Sequence, residues 1–235
     1  MMDLWVGTSG YSYKEWKGSF YPEDVTADGM LRAYGERLPA VEINNTFYRL
    51  PNERVLEGWA SQVPEGFRFV LKASRRITHI KRLREAGDET SYLYRTAASL
   101  GPRMGVVLFQ LPPNFKKDLP RLEAFLEHVP PGRGAAFEFR HETWFDPDVF
   151  ELLGHHHCAL VLADTDEDSI TDFVATTDWG YLRLRKEKYT RKAIEKIAAQ
   201  VAALPWQGAY VFFKDEGEGA GPKYALQWLE MSGDR

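Results

Sequence analysis

The segment Phe-Glu-Phe-Arg-His at positions 137–141 carries residue types with a clear capacity for chemistry. Glu138 and Arg140 are two residues apart, so in an extended strand their side chains share one face. Side by side in a barrel lumen, the arginine can hold an anion while the glutamate accepts a proton. The alternative is an internal ion-pair network that also includes Glu42 and Arg183, because buried charges are usually paired for structural reasons.

A second carboxylate lies in the segment Val-Glu-Ile-Asn-Asn at positions 41–45. Glu42 and Glu138 together can form a general acid/base pair if their environments separate their pKa values. His141 follows Arg140 directly and is a candidate proton carrier near neutral pH. We therefore predict Glu42, Glu138 and His141 as catalytic candidates, while the sequence leaves the distance between the two carboxylates open.

Two basic stretches follow predicted strands, although the whole chain carries a net charge of −4. Clustered in one cleft, such charges concentrate anions, which favours a phosphate, carboxylate or nucleic-acid ligand. The alternative is ordinary solvated charge on loops. The stretches are Lys72, Arg75, Arg76, His79, Lys81, Arg82 and Arg84, then Arg183, Arg185, Lys186, Lys188, Arg191 and Lys192.

The other candidates for binding are polar or aromatic residues at or just after the predicted strand ends. In a barrel these positions meet at one face. The ligand-binding candidates are Thr8, Ser9, Tyr11, Asn44, Tyr48, Lys72, Gln110, Arg140, Trp144, Asp164, Arg183 and Arg185.

Aromatic residues crowd the loop after the first predicted strand, where rings beside basic groups can stack on a sugar or a base. For Phe20 and Tyr21 we favour the alternative that the loop packs a small core of its own. For Tyr11 and Trp144 both interpretations stay open.

The sequence indicates neither a metal site nor a cofactor. The consecutive residues His155, His156 and His157 cannot all point at one ion, and they are typical of a helix end. A run of aspartates at 164, 166 and 168 is similar to a calcium loop but lacks the required glycine and the closing glutamate. Phosphate-binding loops, dinucleotide fingerprints and nucleophile elbows are also missing from the sequence.

Eight short apolar or β-branched runs have the length of strands. They cover residues 4–8, 40–44, 67–72, 105–110, 135–140, 159–163, 181–184 and 209–213. Amphipathic helical patterns lie between them, with Asn52, Asp118, Asp146 and Thr190 as predicted N-caps. A last helix is predicted to open at residues 221–222, and the weakest helical pattern follows the sixth strand.

Alternating strands and helices predict parallel strands with crossover helices. The central strands of an open, doubly wound sheet are apolar on both faces. Here Glu42 and Arg183 each lie between two aliphatic residues, which fits a barrel lumen with a polar mouth better. We therefore predict an α/β fold, a single (β/α)₈ TIM-barrel domain over residues 1–235, with its site at the C-terminal strand ends.

Length and composition agree with one globular domain: 235 residues, 44% hydrophobic and 27% charged. The first residues do not resemble a signal peptide, and no run approaches the roughly 18–20 apolar residues of a membrane span. The single cysteine, Cys158, excludes an internal disulfide. We predict a cytoplasmic protein with no membrane partner, and the sequence leaves its oligomeric state open.

Five segments resemble one known family, and they occur in its order along nearly the whole chain. They are GTSGYSYKEWKGSFYP, VEINNTFYRLP, QLPPNF, FEFRHETW and YLRLR. The family is domain of unknown function 72, or YecE-like, and the resemblance implies a TIM-barrel fold and no established activity. Family-like positions are Gly7, Thr8, Ser9, Gly10, Trp16, Glu42, Asn44, Phe47, Tyr48, Lys72, Gln110, Glu138, Arg140, His141, Trp144, Asp164 and Arg183.

Two places differ from the commoner family pattern. Arg185 and Lys186 stand where many members have His-Gly, and FFKDEGEG stands at 212–219 where many have asparagines. The resemblance therefore implies no role for the family's groups at these places. At the level of fold the family also resembles barrels of the endonuclease IV and xylose isomerase type, whose metal-binding residues this chain lacks.

Three hypotheses follow for the function. The first is an enzyme or binder for a small anionic ligand, phosphate-bearing or sugar-like, held by Lys72, Arg140 and Arg183. The second is a nucleic-acid binding or processing protein, whose affinity would fall steeply with salt. The third is a non-catalytic barrel that binds a partner through exposed apolar surface.

Overall fold

The computed structural model of the chain describes residues 2–167, 169–170, 172–214 and 219–233. Over these residues, eight parallel strands form a closed barrel in sequence order, and β1 closes the ring against β8. This confirms the predicted (β/α)₈ fold. The strands are β1 Asp3–Ser9, β2 Ala40–Ile43, β3 Arg68–Lys72, β4 Met104–Gln110, β5 Ala135–Glu138, β6 Ala159–Asp164, β7 Trp179–Leu184 and β8 Gly208–Phe213.

The helices occupy all but one of the predicted connections. They are α1 Met30–Gly35, α2 Glu53–Ala60, α3 Gly87–Ala97, α4 Leu119–Leu126, α5 Pro147–His155, α6 Arg191–Ala202 and α7 Ala220–Ser232. Between β6 and β7 the described residues form no helix, in agreement with the weak pattern there. Within the described ranges, no helix combines the length and apolar character that crossing a bilayer requires.

The four predicted N-caps are confirmed. Asn52, Asp118 and Thr190 each accept a hydrogen bond from the backbone N–H three residues on, at the start of α2, α4 and α6. Asp146 accepts one from the N–H of Asp148 ahead of α5. These bonds satisfy N–H groups that have no partner inside the helix. Each of these four helices therefore begins at a position that its own sequence fixes.

Apolar side chains fill the lumen from its N-terminal end upward. At that end Trp5 stacks on Tyr210, with ring centroids 4.7 Å apart. The buried charged residues of the lumen lie at its opposite end, at the C-terminal ends of the strands. The buried lumen residues are Ala40, Val70, Val106, Leu108, Ala136, Ala159, Val161, Tyr181, Tyr210 and Phe212.

The loop after β1 packs a core of its own, as favoured for Phe20 and Tyr21. Trp16, Phe20 and Tyr21 are buried, and their rings contact one another. The Tyr21 hydroxyl donates to the backbone oxygen of Tyr11 at 2.5 Å. This aromatic cluster stabilises the loop, and its rings are not offered to a ligand.

Candidate functional site

Arg183 forms the centre of a buried charge network at the C-terminal end of the lumen. Its Nη2 lies 2.7 Å from Oε1 of Glu42, and its Nη1 lies 2.5 Å from Oε2 of Glu138. All three side chains are almost completely buried. Strand alternation explains the meeting, because Glu42, Glu138 and Arg183 lie near the ends of β2, β5 and β7 on lumen-facing positions.

Three further side chains donate hydrogen bonds to Glu42. Ser9 Oγ and Asn44 Nδ2 bond Oε1 at 2.8 and 3.0 Å, and the Tyr181 hydroxyl bonds Oε2 at 2.6 Å. Burial alone would raise the pKa of Glu42, but the charge of Arg183 and these hydrogen bonds outweigh it and lower the pKa to about 2. Glu42 is therefore ionised at neutral pH, with both oxygens bonded.

Both carboxylate oxygens of Glu138 also accept hydrogen bonds. Gln110 Nε2 donates to its Oε1 at 2.8 Å, while Arg183 holds the other oxygen. Burial opposes ionisation, but the charge of Arg183 and the Gln110 bond dominate and lower the pKa of Glu138. Two ionised, fully bonded carboxylates fit the ion-pair network better than the general acid/base pair that the sequence also suggested.

Lys72, at the end of β3, extends this network toward the mouth. Its Nζ lies 2.8 Å from Oε1 of Gln110 and 4.6 Å from the centre of the Phe47 ring. Burial, followed by the charge of Arg183, lowers the pKa of Lys72 to about 8, although Glu42 and Glu138 act in the opposite direction. Lys72 is thus a cation that can lose its proton close to neutral pH.

The backbone after β3 is unusual in a way that brings a second titratable group near Lys72. A π-helical turn spans Arg76–Ile80, and Arg82 and Leu83 then adopt positive φ angles of 50° and 69°. Such turns are frequent at functional sites. His79 lies on this turn with its ring 4.9 Å from that of Phe47, and burial and then the charge of Lys72 lower its pKa.

Two arginines at the mouth contribute positive charge without a local partner. The Arg140 side chain is exposed and that of Arg185 is half-buried. Among the described residues, neither guanidinium forms a hydrogen bond or ion pair. Burial, then the charge of Arg183, lowers the pKa of Arg185, and Arg140 contributes in the same direction. Glu138 and Arg140, expected side by side, are therefore not paired, because Arg183 takes the carboxylate.

A cleft of about 800 Å³ opens beside Arg140 between β5 and β6. The two strands pair only through Ala136–Ala159 and Phe137–Leu160, so they separate toward their C-terminal ends. The cleft contains apolar surface next to the cationic rim. Its apolar lining includes Phe139, Phe145, Phe150, Leu160, Leu162 and Ala163, and its charged lining consists of Arg140, Glu142 and Asp172.

A second large cleft, of about 880 Å³, lies at the other end of the barrel, beside Trp5 and Arg68. Arg68 lies over the Trp5 ring, 5.8 Å from its centre. The charge network at the strands' C-terminal ends is separated from this cleft by the apolar lumen. Because barrel enzymes place their sites at the C-terminal face, we assign the site to that face.

Thr8 and Asp164 lie on the outer faces of their strands, away from the lumen. Tyr34 OH accepts from the Thr8 backbone N–H at 2.8 Å and contacts Thr8 Oγ1 at 2.9 Å. Asp164 pairs with Lys186 at 3.0 Å and accepts from Tyr189 OH at 2.9 Å. Lumen-facing residues alternate with these positions, so we leave both out of the proposed site.

Trp144 is also unavailable to a ligand. It is fully buried, stacks on Phe139 with centroids 4.6 Å apart, and donates from Nε1 to the Phe115 backbone oxygen at 2.7 Å. His141 is half-buried, and its Nδ1 accepts from the Thr143 backbone N–H at 3.2 Å. Both residues therefore hold the loop after β5 in place.

The two predicted tyrosines differ in their surroundings. Tyr11 is half-buried against the aromatic cluster, and burial raises its pKa. Tyr48 is 73% exposed and lies against Phe47, so its ring is accessible near Lys72. Tyr48 remains a candidate contact, whereas Tyr11 belongs with the loop core.

Three side chains at this site were not among the catalytic and ligand-binding candidates: Phe47, His79 and Tyr181. His79 was named only within the first basic stretch. Tyr181 lies two residues before Arg183 and therefore shares its lumen face, which the strand pattern could have revealed. Phe47 was noted only as a family-like position. His79 depends on the π-helical turn, for which the sequence carries no recognisable signal.

Across the described ranges, no cluster of His, Cys, Asp and Glu side chains has the arrangement of a metal site. His155 ends α5 and His157 has a positive φ of 51°, so the histidine run marks a helix end as expected. Asp168, of the calcium-like run, lies outside the described residues, as do residues 215–218 of the variant segment after β8.

The fold defines a (β/α)₈ barrel protein with charged side chains at the C-terminal strand ends. The sequence matches the model of the family described as "Protein of unknown function DUF72" over residues 5–235. The chain therefore belongs to the DUF72 family, which confirms the resemblance.

Two curated relatives match part of the chain. UPF0759 protein YunF of Bacillus subtilis (strain 168) is 30% identical over 156 residues, covering 63% of this chain and 54% of that protein. UPF0759 protein YecE of Escherichia coli (strain K12) is 30% identical over 143 residues, covering 60% and 50%. The chain spans about half the length of the curated relatives it matches.

Two solved structures match nearly the whole chain. A DUF72 family protein from Thermotoga maritima MSB8 has a TM-score of 0.83 and 26% identity, covering 98% of this chain and 99% of that chain. A DUF72 family protein from Enterococcus faecalis V583 has a TM-score of 0.79 and 18% identity, covering 99% and 98%. Both likenesses support the barrel fold.

Proposed function

We propose that the chain binds a small organic anion, carrying a phosphate or carboxylate, at the C-terminal mouth of the barrel. Arg140, Arg185 and Lys72 are the groups that contact the anion. The carboxylates of Glu42 and Glu138, with Arg183, form the rigid floor beneath it.

The observation that carries this proposal is the surplus of positive charge at the mouth. Arg183 is bonded to both carboxylates of the floor. The guanidinium groups of Arg140 and Arg185 have no ion-pair partner among the described residues. A cationic mouth in a chain of net charge −4 attracts an anion that neutralises it.

The cleft between β5 and β6 offers room for the uncharged part of the ligand. Its volume of about 800 Å³ suits a small organic molecule. Arg140 lines this cleft together with Phe139 and Phe145, so an anionic head near Arg140 places an attached apolar group against the rings. A phosphate or carboxylate on an organic body therefore fits better than a bare inorganic ion.

Nucleic-acid binding receives less support because the basic stretches are partly neutralised within the chain. Arg76 and Lys81 both pair with Glu89, and Lys186 pairs with Asp164. Phosphate backbones are bound by cations that are free to replace counterions. A small ligand in the mouth uses the unpaired charges instead.

The aromatic residues also favour a small ligand over a nucleic acid or a protein partner. Trp144 and Tyr189 are buried and offer no stacking surface, and the exposed rings of Tyr48 and Phe145 lie on different loops, after β2 and after β5. The large exposed hydrophobic side chains, such as Tyr92 and Ile80, lie on different elements, and scattered residues of this kind are ordinary surface features.

Calorimetric titration with inorganic phosphate and phenyl phosphate tests the proposal. We expect Arg140→Ala and Arg185→Ala each to weaken phenyl phosphate binding by about 10- to 100-fold, the cost of a charge-assisted hydrogen bond. Arg95→Ala, an exposed arginine on α3, is the matched control and should bind normally. Binding that none of these changes affects would refute the proposed site.

A further inference from the structure

Lys72 differs from an ordinary paired lysine in its hydrogen-bond acceptor. Its Nζ donates to the neutral amide oxygen of Gln110. No described carboxylate lies within ion-pair distance of it. A lysine in a mostly buried position usually pairs with a carboxylate, because an isolated ammonium is costly to desolvate.

The neighbouring groups fix this arrangement. Gln110 donates from Nε2 to Glu138, so its carbonyl oxygen is turned toward Lys72. Glu138 and Glu42 are themselves engaged by Arg183. Both nearby carboxylates are therefore already bonded to Arg183, and Nζ of Lys72 lies at the open end of the lumen.

Burial and the charge of Arg183 lower the pKa of Lys72 to about 8, although Glu42 and Glu138 act in the opposite direction. The lower pKa increases the fraction of neutral amine, which is the nucleophilic form of a lysine. Partial burial and a neighbouring cation are the two means by which proteins activate a lysine for attack on carbonyl carbon. Lys72 has both, since Arg183 and Arg185 lie close enough to oppose its charge. The Phe47 ring, 4.6 Å from Nζ, shields one side of the lysine from water, and its face also attracts the ammonium form.

We propose that Lys72 is a nucleophile that forms a Schiff base with an aldehyde or ketone bearing a phosphate or carboxylate. The inference rests on the proposed function, because Arg140 and Arg185 hold the anionic group while Nζ reaches the carbonyl. It adds a reaction class to that site.

The reaction balances with the loss of one water molecule. The nitrogen lone pair attacks the carbonyl carbon, and the carbonyl π electrons move to oxygen to give a carbinolamine. The nitrogen loses two protons in all, one when the carbinolamine forms and one when it is dehydrated. The oxygen gains two protons and leaves as water when the carbon–nitrogen double bond forms. Solvent in the open mouth carries the protons, so no further reagent is required.

Trapping with borohydride tests the proposal on the whole chain. The protein is incubated with glyceraldehyde 3-phosphate or with glyceraldehyde, reduced, digested, and mapped by mass spectrometry. We expect Lys72 to be modified at least about tenfold faster than the exposed Lys192 on α6, because more of it is neutral at pH 7.5. Equal rates at the two lysines would overturn the proposal.

The pH profile gives a second readout. Modification of Lys72 should rise through a midpoint near pH 8. The charged groups facing it are Glu42 of β2, Glu138 of β5, Arg183 and Arg185 of β7, and His79 of the π-helical turn. Lys72→Arg cannot form the imine, so the total rate of labelling should fall to that of exposed lysines such as Lys192.

The outcomes separate the two proposals. Phenyl phosphate binding without fast labelling of Lys72 overturns the Schiff base and leaves anion binding intact. Fast labelling by glyceraldehyde that a phosphate group does not accelerate, and that Arg140→Ala does not slow, overturns the anion site and leaves the nucleophile.

Discussion

Nζ of Lys72 lies 2.8 Å from Oε1 of Gln110, so the lysine at the end of β3 has an uncharged acceptor. The same amide donates to Glu138 on its other side. Gln110 thus lies between Lys72 and the two carboxylates that Arg183 bridges. The mouth therefore has a lower layer of bonded charges, formed by Glu42, Glu138 and Arg183, and an upper cationic layer. The predictions below test each layer separately.

Arg183→Met should destabilise the fold strongly. It leaves Glu42 and Glu138 buried without their shared counter-charge, and breaking a buried ion pair typically costs about 3–5 kcal/mol. Urea denaturation at pH 7 measures the loss, with Arg95→Met on the exposed face of α3 as control. A loss no larger than that of the control would show that the floor network is not needed for stability.

Acid should weaken the fold through Glu42. Its pKa is about 2 in the folded chain against an ordinary value of 4.5. A depressed folded-state pKa means that the unfolded chain binds more protons between these values. The contribution of ionised Glu42 to the free energy of unfolding is therefore complete above pH 4.5 and is lost as the pH falls toward 2. Denaturation across this window should show a shallower slope for Glu42→Gln than for the natural chain.

Salt provides the control for that acid effect. Lys81, by hydrogen bonding, also lowers the pKa of Glu89 to about 2, but this pair lies nearer the surface. About 0.5 M NaCl should screen most of the contribution that Glu89 makes to the free energy of unfolding. The contribution of buried Glu42 should remain. Identical salt sensitivity for Glu42→Gln and Glu89→Gln would contradict the burial argument.

Tyr181→Phe tests the hydrogen bond from the tyrosine to Oε2 of Glu42. The variant leaves a buried carboxylate oxygen without a donor, which costs about 1–3 kcal/mol. Tyr210→Phe is the matched control, because the Tyr210 ring fills the same lumen but its hydroxyl has no hydrogen bond to a described residue. Equal losses of unfolding free energy in the two variants would argue against the bond.

Trp144→Phe should separate stability from binding. The variant removes the Nε1–H bond to Phe115, and we expect a loss of about 1–3 kcal/mol because a buried carbonyl loses its donor. Phenyl phosphate affinity should stay within about twofold, since Trp144 does not reach the mouth. A large loss of phenyl phosphate affinity with unchanged stability would instead show that Trp144 contacts the ligand.

The barrel could be predicted because each of its signals is local. Strand runs have a period of two, and caps such as Asn52 and Thr190 satisfy helix ends within three residues. β5 ends at Glu138, before the predicted residue 140. It stops where its pairing with β6 is lost, and the sequence carries no signal for where paired strands separate.

The site could be predicted only in part. The strand pattern brought Glu42, Glu138 and Arg183 to one lumen, but it could not show that one arginine bonds both carboxylates. Thr8 and Asp164 were included because proximity to a strand end says nothing about which face a side chain occupies until the register is known.

The most direct test of an anion site at the mouth is anomalous diffraction from a crystal soaked in tungstate, a tetrahedral dianion. We expect a tungsten peak within hydrogen-bonding distance of the guanidinium groups of Arg140 and Arg185, on the side of the mouth that Nζ of Lys72 faces. Tungstate bound only at other surface positions, with none at the mouth, would contradict it.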